Sequence, residues 1–455
     1  MNQREIPLGI DPHIIQKGLN EPIEFYQGKL IVNKDDISFE VDGKIELVWF
    51  PFASLRFELE GTEELQYNEL NQLYCLSLVK IVKIDLIISG QENSILEGKI
   101  THISSVIRGE IIDTKTGKNK QSERQAYYAK FFIPNFRYIV GTPIRYEGQN
   151  FGFSVRNRLS LNAKGWNITL DSLSNIKQLG EDLTNSSGFA ITYYGILEKN
   201  DGSLFDYQES KEIIDALKWY LSFVNGSFIS PYALVGFNAD HNEVWKGWKS
   251  SRMFPYQNNF SWVSKSHPKT FEEPFKGFVD LYFDPEWSDS LKRIVYIYVE
   301  TNHIAINVEG AIILLQSALE LLAYEILVEK NRVLNPTKFE KLHGNERIKH
   351  LFDQLKIPLE ISAHLEVLHK TAKERNWLAP DAIIKIRNSI VHPTKKNRVK
   401  LNDHSQEACD VLDLCRWSLE LCILKLCNYN GVYTNTLKRI QYNGDVDPVP
   451  WSSEE

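Results

Sequence analysis

The sequence predicts an α+β chain of more than one domain, with an antiparallel β-rich N-terminal part followed by an all-helical C-terminal bundle. Three observations predict it. The chain has 455 residues, more than a single hydrophobic core usually serves. From Ile37 to about Leu197, short apolar runs with a period of two recur between turn residues. From Ser290 to near Thr434 the apolar period changes to that of a helix, and the segments lengthen accordingly. The boundaries that follow are 1–205 for a β-rich sensor or regulatory domain, 206–289 for a mixed connecting region, and 290–455 for the helical domain.

Residues 1 to about 35 carry scattered Gly and Pro and show no strong period. Strands are then expected at Ile37–Val41, Ile45–Phe50, Leu55–Leu59, Leu76–Val79, Val82–Ile88, Ile95–Ile100 and Val106–Ile112. Tyr127–Val140, Trp166–Leu170 and Phe189–Leu197 continue the series. Many short strands at near-regular spacing suggest a sandwich or a barrel. Ser210–Val224 reads as an amphipathic helix with Ile213, Ile214, Leu217, Tyr220 and Leu221 inward. The following Trp245-Lys246-Gly247-Trp248-Lys249 reads as a loop. Its aromatics could stack bases or sugars, or could simply be buried at a junction; burial is the commoner fate of tryptophan. Asp284 to Asp289 looks like a helix start, with acidic residues in the first turn.

The helical part is expected as Ser290–Thr301, Ile304–Lys330, Thr337–Leu355, Glu360–Glu374, Ala379–Val391 and Ser405–Tyr429, punctuated by Pro336, Pro358 and Pro380. Short connections make this an antiparallel bundle. Ile304–Lys330 is apolar almost all round, which places it centrally. Its longest unbroken apolar run, Ala311 to Leu315, is too short to cross a bilayer.

A formal net charge of −7 is not the profile of a protein that coats nucleic acid, so any RNA contact must be a local patch. Met1 to Glu5 lack an apolar signal segment. Of the cysteines, Cys409, Cys415, Cys422 and Cys427 fall along one predicted helix, where they read as small apolar packers; Cys75 stands apart. No Cys-x-x-Cys, phosphate-binding loop or nucleophile elbow occurs, and neither metal nor cofactor is indicated. A reduced, cytoplasmic setting without membrane contact fits.

The chemistry is concentrated in Ile383-Ile384-Lys385-Ile386-Arg387-Asn388-Ser389-Ile390-Val391-His392-Pro393. At helical spacing Ile383, Ile386 and Ile390 share one side, and Arg387 projects into that apolar stripe. A guanidinium keeps its proton and is costly to bury alone, so Arg387 needs a carboxylate partner or awaits an anion. Pro393 disfavours the α conformation of the residue before it, which puts His392 at a frayed helix end. On the central helix, Glu309, Gln316 and Glu320 fall on one side. Glu320 is either the ion-pair partner of Arg387 or an ordinary carboxylate on a helix edge.

An Arg-x4-His spacing alone is common. Asn388, the helical apolar pattern and the helix before it make the block more specific. It resembles the signature of the HEPN superfamily, and most closely its Apea-like branch, found in phage-defence proteins. The resemblance covers roughly the last third of the chain. It implies a HEPN-like bundle that dimerises so that two motifs share one cleft, and a metal-independent endoribonuclease acting in antiviral, abortive-infection-type defence. Arg387 would hold the phosphate, Asn388 would orient it or His392, His392 would move protons, and Glu320 would complete the site. Lys395, Lys396, Arg398 and Lys400, just downstream, form a basic run where an RNA backbone could pass, or a solvated loop. The substrate would be RNA, transfer RNA being one candidate, and the N-terminal domain would sense an unidentified trigger. The rival readings are a non-catalytic HEPN module that binds a nucleotide or a protein, and a ligand- or carbohydrate-binding protein acting through its β domain.

Overall fold

The computed structural model describes residues 6–60, 82–89, 91–104, 106–116, 125–146, 155–303, 306–392, 406–438 and 444–452. The strand expected at Leu76–Val79 and the basic run from Lys395 to Lys400 lie outside them. Strands dominate the N-terminal half and helices the C-terminal part. Two compact units divide the chain: Met1–Leu221 with Phe228–Asn258, and Ser222–Ser227 with Asn259–Glu455. The stretch 206–289 is thus shared between them.

The first unit opens with a closed antiparallel barrel. Its strands are β1 (Ile23–Lys34), β2 (Ile37–Val48), β3 (Ser54–Leu59), β4 (Lys83–Ile88), β5 (Gln91–Ile103) and β6 (Ile107–Thr116), in the order β1-β2-β3-β6-β5-β4. β1 closes the ring on β4 from Leu30↔Ile88 to Asn33↔Asp85. Alternate residues such as Leu30, Val32, Ile45, Leu47, Leu55, Phe57, Leu86 and Ile107 fill the interior. β1 escapes a period-two reading because a bulge between Glu24 and Tyr26 throws Phe25 out of alternation. β2 is one 12-residue strand rather than two, with Gly43 in mid-strand opposite Gly28.

A seven-stranded sheet completes this unit. It comprises β7 (Tyr128–Pro134), β8 (Thr142–Ile144), β9 (Val155–Ala163), β10 (Trp166–Ser172), β11 (Ile191–Lys199), β12 (Tyr232–Phe237) and β13 (Glu243–Gly247), ordered β13-β12-β7-β11-β10-β9-β8. Helices α1 (Ile176–Ser186) and α2 (Tyr207–Asn225) are inserted in sequence between its strands. β7 stops short of the expected Val140, because Asn135 takes a left-handed φ of 56° and its amide bonds to the chain at Gly188 and Ala190.

The barrel is fastened to the β13 edge. Thr114 Oγ1 donates to the Trp248 carbonyl at 2.9 Å and accepts from Trp248 N–H at 2.8 Å, and Lys246 N–H donates to Ser94 Oγ at 2.8 Å. Trp245 lies within β13, not in a loop, and Trp248 follows it. Both are buried, at 4% and 1% exposure, so neither indole face is open to a base. Phe25 packs edge-on against Trp248, their ring centres 5.2 Å apart.

Residues 7–21 form an irregular strap that other strands hold. Arg158 donates to the Leu8 carbonyl, Ile10 N–H to Asp171 Oδ2, Tyr194 to the Ile14 carbonyl, and Ile191 N–H to Gln16 Oε1. His13 Nε2 lies 2.8 Å from the Ala233 carbonyl, which can only accept, so this nitrogen carries the proton. Its Nδ1 is enclosed with no partner. Burial pushes the imidazole down to a pKa of about 4. The unfolded chain therefore takes up a proton between pH 6.5 and 4 that the folded chain refuses. The stability present above pH 6.5 falls by about 3 kcal/mol as the pH drops to 4. His13→Gln keeps a donor for Ala233 and removes the titration. Urea unfolding at neutral and acid pH should show a shallower acid loss in this variant, and an unchanged slope would refute the assignment.

The second unit is helical. It contains α3 (Lys269–Glu272), α4 (Pro274–Phe283), α5 (Ser288–Asn302), α6 (Val308–Tyr324), α7 (Pro336–Lys341), α8 (Gly344–Leu355), α9 (Glu366–Arg375), α10 (Ala379–Val391) and α11 (Gln406–Leu426), with a small ribbon of β14 (Val432–Tyr433) and β15 (Asp447–Pro448). α6 continues into a π-helical turn, Glu325–Lys330. The helix expected over Thr337–Leu355 is broken at Leu342 and His343, and the one expected from Glu360 begins only at Glu366. α5, α8, α10 and α11 all pack on α6. The stretch Val308–Lys330 has 23 residues and a mean hydropathy of 1.8, long and apolar enough to cross a membrane by length and composition; 61% of its apolar window is buried within the protein, as in a core helix. Cys415, Cys422 and Cys427 are buried, and burial raises their thiol pKa values, so they act as apolar packers.

Candidate functional site at the end of α10

α10 starts where the sequence favours a start. Pro380 occupies the first turn, and Asp381 accepts the N–H of Leu378 at 3.1 Å and the amide of Asn345 at 2.8 Å. Ala382, Ile383 and Ile386 are buried and fix the helix against its neighbours. It ends at His392, whose φ and ψ of −121° and 66° leave the helical region while its N–H still donates to the Asn388 carbonyl at 2.9 Å. His392 is exposed; Arg387 and Asn388, one turn back, are half-buried. Arg387 Nη1 donates to Asn388 Oδ1 at 3.0 Å. Its Nε is enclosed and has no partner.

Glu320 does not pair with Arg387. Its carboxylate lies 3.9 Å from Nη1 of Arg347, on α8. Arg347 is held in place by the Phe339 and Glu340 carbonyls, at 3.2 and 3.0 Å, and stacks over the Phe339 ring. The reason lies in the meeting of three helices. A Cβ on Gly344, the first residue of α8, would come within 2.8 Å of both Glu320 Oε1 and Ile384 Cδ1. Glu320 therefore lies at the N-terminal end of α8, where the helix dipole favours an anion. Ile384 is one turn before Arg387 on α10, so Glu320 shares this corner of the bundle without neutralising Arg387. Among the described residues no carboxylate is within ion-pair distance of Arg387.

Sequence reasoning missed Arg347. Its partner is 27 positions earlier in the chain, and nothing in the local pattern of α8 announces the contact. Two half-exposed apolar features were also not singled out: Val391, 38% exposed beside the motif, and Leu314 on α6, 37% exposed. Lys395, Lys396, Arg398 and Lys400 are outside the described residues. No three metal-ligating side chains cluster among the described residues.

Residues 121–259 match the model of the YopA central domain, and residues 284–447, which include all of α10, match that of the YopA C-terminal domain. No solved structure matches the chain. Along almost its whole length the chain is similar to the SPbeta prophage-derived uncharacterized protein YopA of Bacillus subtilis (strain 168), with 28% identity over 461 aligned residues that cover 98% of this chain and 99% of that protein.

Proposed function

We propose that the helical unit is a HEPN-type, metal-independent endoribonuclease whose site is Arg387, Asn388 and His392. The observation that carries this reading is the unneutralised Arg387. A half-buried guanidinium without a carboxylate partner among the described residues, braced by Asn388 and followed by an exposed imidazole, suits a phosphodiester better than it suits a structural role. The matched family models name YopA domains and no activity, so the proposal rests on these side chains and on the resemblance of the Arg-Asn-x3-His block to HEPN nucleases. A prophage-borne relative fits an effector that works during phage infection.

In this reading Arg387 holds the non-bridging oxygens. The 2′-oxygen attacks the adjacent phosphorus, the 5′-oxygen of the next nucleotide leaves, and His392 carries one of the two protons exchanged. One histidine per chain serves both roles poorly. A second copy meeting the first across Val391 and Leu314 would supply another Arg387 and His392, making a homodimer the working form. Glu320 is then a positioning group for Arg347 and the α8 terminus, not a ligand of the phosphate.

Incubation of the full chain with total RNA in EDTA is expected to degrade the RNA at the rate seen with magnesium. Cleavage that vanishes in EDTA and returns with magnesium would exclude this mechanism.

A further inference from the structure

The strap over residues 7–21 lies on the seven-stranded sheet as a ligand lies on a receptor. Arg158, Asp171, Tyr194, Phe132 and Tyr232 stand opposite one another on β9, β10, β11, β7 and β12, so they form one row across a sheet face. The strap follows this row, from Leu8 at Arg158 to His13 at Ala233, the neighbour of Tyr232. Its contacts repeat every third residue. The carbonyls of Leu8, Asp11 and Ile14 accept from Arg158 at 2.8 Å, Lys130 at 3.0 Å and Tyr194 at 2.9 Å. The side chains of Ile10, His13 and Gln16 engage the sheet: Ile10 is buried, His13 bonds to the Ala233 carbonyl, and Gln16 Oε1 accepts the Ile191 N–H at 2.8 Å. Three residues per turn is the repeat of a polyproline-like extended chain, and Pro7 and Pro12 fix φ in the range it needs.

The sheet grips this segment through polar bonds and little apolar burial. Ile6, Leu8 and Ile15 are 39%, 48% and 70% exposed, and Ile10 is the one aliphatic side chain of the strap that is fully enclosed. His13 weakens the grip, because its enclosed Nδ1 has no partner and would find water once the strap lifted. An element held in this way opens more readily than a core strand. We propose that the row is a peptide-recognition surface and that residues 7–16 are its displaceable intramolecular occupant. When the strap lifts, the row takes an extended segment with the same pattern: Ile-x-x-His-x-x-Gln, with a carbonyl presented at every third position. The segment that fits is this chain's own, so the occupant in trans is the strap of a second copy. The inference does not depend on the nuclease reading.

Two measurements on the full chain test it. Native-state hydrogen exchange reports opening in cis. The N–H groups of Gly9 and Ile10, bonded to Arg145 and Asp171, and that of Ile191, bonded to Gln16, should exchange together, about 100-fold or more faster than the β10–β11 ladder. Fluorescence anisotropy with a labelled peptide of residues 6–17 reports binding in trans. The peptide should bind the Ile10→Ser chain, whose own strap is weakened, about tenfold or more tightly than it binds the parent, where the tethered strap competes. Tyr194→Phe added to that chain should weaken binding about three- to tenfold, as loss of one hydrogen bond does. In case Ile10→Ser fails to fold, excess peptide should speed exchange at Gly9 and Ile10 of the unaltered chain by displacing them. Strap amides that exchange only with the β10–β11 ladder, or that ignore excess peptide, would overturn the proposal. So would a folded Ile10→Ser chain that leaves the peptide unbound, or binds it equally well with Tyr194→Phe.

Discussion

His392→Ala should lower RNA cleavage by about 10²–10⁴-fold and leave the melting temperature almost unchanged. The imidazole is exposed at the end of α10 and no hydrogen bond from its ring to a described residue holds the fold, so under the nuclease proposal its removal deletes proton transfer alone. Arg387→Ala should be equally inactive. Here stability is informative as well. Had Glu320 been its partner, truncation would strand a carboxylate and cost about 3–5 kcal/mol. Glu320 faces Arg347 instead, so the variant should unfold at the same urea concentration as the parent or a higher one. An Arg387→Ala protein destabilised by several kcal/mol would show a structural arginine, and would remove the observation on which the nuclease proposal stands.

Arg158→Ala should cost about 3–5 kcal/mol in the first unit. Asp171 is 2% exposed and takes both oxygens to the guanidinium, at 2.8 and 2.7 Å. The same arginine donates to Leu8 and so ties down the strap. Truncation leaves a buried carboxylate with only the Ile10 N–H and frees the strap at one end. Equilibrium unfolding followed by tryptophan fluorescence measures the loss. A change below about 1 kcal/mol, the range of surface pairs, would contradict the reading of this pair as a buried anchor.

Local pattern carried much of this architecture. α10 runs from Ala379 to Val391 as its apolar spacing and Pro380 dictate, and α2 extends the expected Ser210–Val224 by a few residues at its start. What the pattern could not carry was set by long-range contacts. β1 is hidden by a bulge that only its partner β2 explains. The α7–α8 break at Leu342 and His343 is invisible to a hydrophobic period that continues through it. α4 lies in an aromatic-rich stretch where Phe275, Phe278, Val279 and Leu281 form too short a face to stand out. For Trp245 and Trp248 burial, the commoner fate of tryptophan, is what the structure shows: Trp245 packs beside Phe205 and Tyr207, and Trp248 beside Phe25. At the candidate site the motif itself was legible, because Arg387, Asn388 and His392 are within two turns of one helix. Glu320's true neighbour was not, since α6 and α8 meet only in three dimensions.

The central claim is best tested with one oligonucleotide: a DNA strand carrying a single ribonucleotide, incubated with the full chain in EDTA and analysed by mass spectrometry. Attack by a 2′-hydroxyl can occur only at that ribose. The expected result is one cut on its 3′ side, leaving a 2′,3′-cyclic phosphate and a 5′-hydroxyl, with no cut when Arg387 or His392 is replaced by alanine. Cleavage at deoxyribose positions, products ending in 3′-hydroxyl and 5′-phosphate, or equal cutting by the His392→Ala chain would contradict it.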